Sequence, residues 1–213
     1  MLGLRGILVA LMFVLFASSV HADDKPTTPT ASYYVSPQQF NGQIQITDQG
    51  FTTLFALFQN ATASFNFNEG NSTISRLRIA LDTTSLTASN PATTRDVMAL
   101  LNEGAISEIA ITSPDAASFS DGKASLKGTL SLHGITKPVT IDASLNRTGK
   151  NLRSGVLWSG SEDTVGVSLK TNIKRADFGI GTPPAPEKPS AEATQERFGD
   201  TINLLLELQA IRQ

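Results

Sequence analysis

Hydrophobic and polar positions alternate most clearly between residues 124 and 145. Leu126, Gly128, Leu130 and Leu132 share one face, against Lys127, Thr129 and Ser131. Val139, Ile141, Ala143 and Leu145 then oppose Thr140, Asp142 and Ser144. A period of two over this length predicts two strands, each with one dry and one wet face. Between them, Gly134 accepts a positive φ, and Pro138 starts the second strand where no ladder donor is required. Such a pair is an antiparallel hairpin, and the chain is organised around it.

The same period recurs along the sequence. Phe40, Gly42, Ile44 and Ile46 form one dry face; Ala61, Ala63, Phe65 and Phe67 form another, and Leu77, Ile79 and Leu81 a third. Ile109 and Ile111 mark a further strand before a turn at Ser113-Pro114-Asp115. Residues 151–158 and 162–169 predict two more, the second with Val165, Val167 and Leu169 on one face, and Glu162-Asp163 falls in a predicted turn. In the last strand Ile202, Leu204, Leu206, Leu208 and Ala210 alternate with Asn203, Glu207 and Gln209; Leu205 interrupts its wet face. Asn68-Glu69-Gly70-Asn71 and Asp121-Gly122-Lys123 are turns.

One helix is clear, over 91–103. Asn90 caps it, Pro91 suits its first turn, Asp96 lies early, Val97, Leu100 and Leu101 form its buried stripe, and Gly104 ends it. Residues 50–58 fit two templates. Phe51, Leu54, Phe55 and Phe58 match a helix, whereas Phe51, Phe55 and Leu57 match a strand face. A second short helix or turn capped by Asp48, with its aromatics inward, is the preferred expectation, and a core plug is favoured over a lid. About nine or ten strands without βαβ spacing predict an all-β antiparallel fold, and long strands with one wet face favour closure into a barrel of about eight strands or more.

Composition adds an address. Arg5 precedes an apolar run from Ile7 to Ala17 that is too short to span a bilayer, and small residues end at Ala22. Residues 1–22 are therefore expected to be a cleavable signal peptide, placing the mature chain in the periplasm. Residues 23–32 are expected to be a disordered lead, 33–213 one domain, and 181–192 a Pro-rich surface loop. The net charge of −2 and the lack of a basic stripe argue against a nucleic-acid partner. There is no cysteine, so disulfides, thiol catalysis and thiolate metal sites are excluded. Once the signal is cleaved, His133 is the sole histidine. No nucleophile elbow, zinc motif, Walker loop or dinucleotide fingerprint occurs. Neither an enzyme, a metal nor a cofactor is expected. His133 reads as a turn residue bonding nearby backbone or as a contact for a ligand head group; Lys137 faces water or an anionic head group.

The interior is then packed with side chains or occupied by an apolar guest. An empty void of ~500 Å³ would cost up to about 12 kcal/mol at ~24 cal/mol per Å³, rivalling a domain's whole stability. The residue pattern leaves both alternatives open.

Leu130-Ser131-Leu132-His133-Gly134-Ile135-Thr136-Lys137-Pro138-Val139 resembles the signature of the YceI-like family of bacterial polyisoprenoid-binding proteins. Lys174-Arg175-Ala176-Asp177-Phe178-Gly179-Ile180 resembles that family's later motif, at matching order and spacing. Tyr34-Val35, Ser85-Leu86-Thr87, Arg95-Asp96 and the last strand extend the likeness over nearly all of the mature chain. The segment 102–112, which lacks the family's usual aromatics, departs from it, as do the loosely matching 51–58 region and a longer Pro-rich loop. The resemblance implies a lipocalin-like barrel that carries a long isoprenoid, polyprenyl or quinone-like. Its tail would lie along Phe65, Phe67, Leu77, Ile79, Leu130, Leu132, Val139, Ile141, Leu204, Leu206 and Leu208, with Phe51, Phe55 and Phe58 gating it. His133 and Lys137 are the head-group candidates. A homodimer is left open, and the alternative is a ligand-free interaction module with a filled core.

Overall fold

The alternating segments become strands, and the strands close on one another. The computed structural model describes residues 29–101, 108–155, 158–180 and 197–213. The first half of the chain contains β1 (Ala31–Val35), β2 (Phe40–Asp48), β3 (Thr52–Phe58), β4 (Ala61–Asn68), β5 (Thr73–Asp82), β6 (Leu86–Ala88) and the helix α1 (Pro91–Leu101). The second half contains β7 (Glu108–Ser113), the short β8 (Ala117–Ser118), β9 (Lys123–Leu132), β10 (Ile135–Gly155), β11 (Trp158–Lys174) and β12 (Phe198–Arg212).

The first six segments are three long strands, each bent in the middle. β12 pairs with β1 at one end and β2 at the other; β4 and β3 continue that division, as do β5 and β6. Counted this way, the described residues form an eight-stranded antiparallel barrel with a single α-helix. The first and last strands meet at Tyr33↔Arg212 and Tyr34↔Ile211.

The bends are bonded to one another. Gln59 N donates to Ser85 O (3.2 Å), Asn60 N to Ser85 Oγ (3.0 Å) and Asp82 N to Asn60 O (3.1 Å). Thr84 donates its hydroxyl (2.6 Å) and its N–H (2.9 Å) to Asp82 Oδ1, and the hydroxyl bond is the main cause holding the Asp82 carboxyl below its ordinary value. A bulge explains a break in the alternation of β5. Arg76 has φ +52°, so Ile74 and Leu77 both point inward although three positions separate them.

Asn90 caps α1 as expected: its Oδ1 accepts from Thr93 N at 2.9 Å. Asn90→Ala should cost about 1 kcal/mol and, in a domain of this size, lower Tm by roughly 2–4 °C. Thermal unfolding followed by circular dichroism measures this, and an unchanged Tm would remove the cap from the account. The expected helix end at Gly104 and the loop at 181–192 lie outside the described residues.

Four expectations are corrected. Residues 52–58 form a strand, not a helix. The four-residue aromatic spacing fits either state, but pairing Ile44↔Ala56 and Ile46↔Leu54 along β2 satisfies the backbone and turns Ala56 and Phe58 inward. Residues 151–155, expected to open a separate strand, instead continue β10, which runs to Gly155, while Trp158 belongs to β11, and Glu162-Asp163 lies inside β11 rather than in a turn. Ala31 and Ser32, assigned to the disordered lead, belong to β1 and pair with Phe67 and Asn66.

Candidate functional site

The inward faces converge on one apolar cluster. Leu77, Leu130, Leu132 and Leu204 are fully buried; Phe58, Phe65, Phe67, Ile79, Ile141, Leu206 and Leu208 are nearly so. These predicted lining residues are brought together. Val139 is half-buried at the cluster's margin. Phe51 and Phe55 are not part of it: they are 87% and 50% exposed on the outside, so neither stands inside a mouth as a gate. Phe51 sits at the β2–β3 turn, and Phe55 has outward parity on β3.

Aromatic rings fill one end of the barrel. Tyr33 stacks on Phe65 at 5.8 Å between centroids, meets Phe67 edge-on at 6.2 Å, and Phe67 meets Phe119 at 6.3 Å. The Tyr33 hydroxyl donates to Glu69 Oε1 at 3.2 Å. Burial, and then the Glu69 charge, push its pKa up to about 12. Because the folded value lies above the unfolded value of about 10, the native state holds this proton longer. Stability from Tyr33 is complete below about pH 10 and falls as pH rises towards 12. An ultraviolet phenolate titration should show a phenol ionising near 12 that Tyr33→Phe abolishes; a curve unchanged by the substitution would refute the assignment.

The opposite end is covered by α1, whose Val97, Leu100 and Leu101 are buried. Polar contacts hold it: Ala88 N on β6 donates to Thr94 Oγ1 at 2.9 Å, and two more come from further along the chain. His133, at φ +54° in the β9–β10 turn, donates from Nε2 to the Leu101 carbonyl at the helix C-terminus. Arg197 joins Asp96 on the helix to Asp48 at the end of β2, with Nε 3.0 Å from Asp48 Oδ1, while its guanidinium lies 5.0 Å from the Phe198 ring centroid. His133 thus engages backbone, as in the first of its two readings. Lys137 is exposed at the start of β10.

The later motif is a plug beside this end. Arg175–Phe178 makes a 3-10 turn after β11, closed by Gly179 at φ +66° and by Ile180 N donating to Arg175 O (3.0 Å). Arg175 is 4% exposed and donates to the Phe198 and Gly199 carbonyls. A guanidinium keeps its charge when buried, so these carbonyls are what permit its position. The roles of Tyr33, Arg175 and Arg197 were not anticipated; their partners lie far along the chain, and only the motif at 174–180 marked one of them.

The described grooves lie on the outer surface. One of about 390 Å³ near Arg147 and Gln209 is lined mostly by polar residues, with Leu208 among them. Another, of about 630 Å³, lies where β10 and β11 diverge and includes Val139, Phe178 and Leu204.

The description "YceI-like domain" matches residues 33–210. The chain belongs to the YceI-like family. Among curated relatives, a UPF0312 protein of Vibrio campbellii is 27% identical over 154 residues, covering 70% of this chain and 78% of its own. Protein YceI of Escherichia coli O157:H7 is 24% identical over 212 residues, covering 99% and 97%. Among solved structures, Burkholderia cenocepacia BcnA aligns at a TM-score of 0.62 with 16% identity, over 82% of this chain and 98% of that one. A polyisoprenoid-binding domain from Saccharophagus degradans, implicated in plant cell wall breakdown, aligns at 0.55 with 12% identity, over 87% and 100%. These two likenesses show a shared fold. Among the described residues, no helix is long and apolar enough to cross a membrane.

Proposed function

We infer that this chain is an exported carrier that holds a long isoprenoid chain inside its barrel and performs no catalysis on it. The observation that carries the reading is the continuous inward wall of Leu, Ile, Val and Phe, contributed by every long strand. Family membership supports it, as does the likeness to a domain named for polyisoprenoid binding. Each CH₂ moved from water to that wall contributes ~0.8 kcal/mol, so a polyprenyl tail binds with few polar contacts, though affinity saturates well below the sum. The apolar start of the sequence supports export to the periplasm.

A second reading rests on the near-complete burial of the same side chains. Leu77, Leu130, Leu132 and Leu204 are each at 0% exposure, as in a core filled by its own residues. On this reading the barrel is an interaction module whose outer surface is functional. The carrier reading instead requires the wall to shift when a guest enters.

Native mass spectrometry of the protein purified from its own compartment, followed by solvent extraction, separates them. A stoichiometric isoprenoid is the expected result. A clean apo mass with no uptake of added polyprenyl lipids or quinones would overturn the carrier reading in favour of the filled core.

A further inference from the structure

Among the described residues, the wall of the barrel is unzipped along part of the seam between β10 and β11. β10 pairs with β9 from Ile135 onward but with β11 only from Asp142↔Lys170 onward. Beyond that rung, Thr171–Lys174 pair with β12, and among the described residues the two strand edges face each other without a ladder. The backbone chemistry is consistent with an open edge, since Pro138 in the unpaired stretch has no N–H to offer. A single side-chain bond crosses where the ladder ends: the Thr171 hydroxyl donates to the Thr140 carbonyl at 2.9 Å.

The larger outer groove sits on this seam, and its lining mixes the two sides of the wall. Val139, Thr171 and Leu204 have inward parity, and Phe178 is 2% exposed beneath. Val139 is also the one predicted β10 lining residue left half-buried. Here an outer groove and the apolar interior are separated by side chains rather than by a hydrogen-bonded sheet.

The rim carries more positive than negative charge. Lys137, Lys170 and Lys174 line the groove, and the ammonium of Lys127 donates to Thr140 Oγ1 at 2.8 Å; Asp142 and Asp177 oppose them. On a chain of net charge −2, this is a local excess of cations.

Resting on the carrier reading, we propose that the seam between β10 and β11 is a lateral portal. The apolar tail enters and leaves through it, and the lysine rim keeps an anionic head group in water outside. Passage breaks one side-chain bond and moves the Val139 and Phe178 side chains aside while Ile135–Ile141 stays paired to β9, whereas entry elsewhere along a paired seam would break several ladder bonds at once.

The test is a staple. Continuing the register from Asp142↔Lys170 sets Thr140 opposite Asn172, both with outward parity. The chain has no cysteine of its own, so Thr140→Cys with Asn172→Cys gives one unique pair, closed by a short bifunctional thiol reagent or by oxidation. Ser144→Cys with Ser168→Cys, across a paired rung, is the control. Uptake from vesicles is followed with a polyprenyl phosphate and with the polyprenol of the same chain length. The portal predicts that closing 140–172 slows uptake by about tenfold or more, that reduction of the disulfide restores it, and that the 144–168 staple leaves it unchanged. Unstapled protein should prefer the phosphate, and Lys137→Gln with Lys174→Gln should remove that preference. Unchanged uptake through a closed 140–172 staple would overturn the portal. Equal binding of phosphate and alcohol would overturn the rim's role. If unstapled protein takes up neither lipid, the carrier reading itself fails, which is a different outcome from either.

Discussion

Leu206→Arg should leave the chain without a cooperative fold, or close to that limit. Leu206 is 2% exposed, on the inward face of β12, and pairs with Leu169 on one side and Gly42 on the other. Its wall neighbours offer no acceptor for a guanidinium, in contrast to Arg175, which reaches two carbonyls. An uncompensated buried charge costs about 3–5 kcal/mol, a large part of the roughly 5–15 kcal/mol that domains possess. Urea unfolding followed by far-ultraviolet circular dichroism should show a collapsed midpoint or no transition. Leu206→Met, which keeps the volume, should lose less than about 1.5 kcal/mol. A fully stable arginine variant would mean that this face is wet. Any folded fraction of that variant should retain no lipid, and unchanged retention would move the tail away from β12.

Gly128→Ala is the second substitution expected to have a large effect, for a reason unrelated to polarity. A Cβ on Gly128 would stand 2.3 Å from the Thr112 carbonyl oxygen and 3.2 Å from Ser113 Cβ. The oxygen belongs to backbone and cannot rotate out of the way. β7 is held to β9 by Ala110↔Ser131, Ile111↔Leu130 and Thr112↔Thr129, with Ser113 Oγ donating to Lys127 O at 2.6 Å. One methyl group therefore prises a short seam apart, at a cost of roughly 3 kcal/mol or a Tm loss of roughly 6–12 °C. Most of the loss should already appear with alanine, and valine should add comparatively little. A loss with valine but not with alanine would point to ordinary crowding and refute the backbone collision.

The barrel was legible in the sequence because its wall is built from a repeated local rule. Leu130 and Leu132, Val165 to Leu169, and Leu204 to Leu208 announce their faces through nearest-neighbour alternation, and each proved inward. The rule misleads where local chemistry is ambiguous. Phe51, Phe55 and Phe58 satisfy two periods, and only the edge of β2 decides between them. It also skips where a bulge inserts a residue, which hid Ile74 behind Arg76. What holds the ends of the barrel was legible only at His133 and in the motif at 174–180. Arg197 and Asp48 stand far apart in sequence, and nothing about an Arg or an Asp alone reveals that they share a bond with Asp96. The seam between β10 and β11 was equally invisible, because both strands alternate cleanly straight through the point where their ladder stops.

The pairing of Tyr33 with Arg212 has a consequence in time. Most rungs of the closed wall join strands near one another along the chain, whereas the ladders from β12 to the first bent strand, through β1 and β2, join residues roughly 150 to 180 apart. This last rung joins residues roughly 180 apart and carries a loop-closure term of about 4–5 kcal/mol. Closure is therefore the late, slow event of folding. A nascent chain must wait for β12 before it has a barrel. Until then the edges of β1 and β11 are bare, and this interval is when the chain is most exposed to aggregation and most in need of a chaperone.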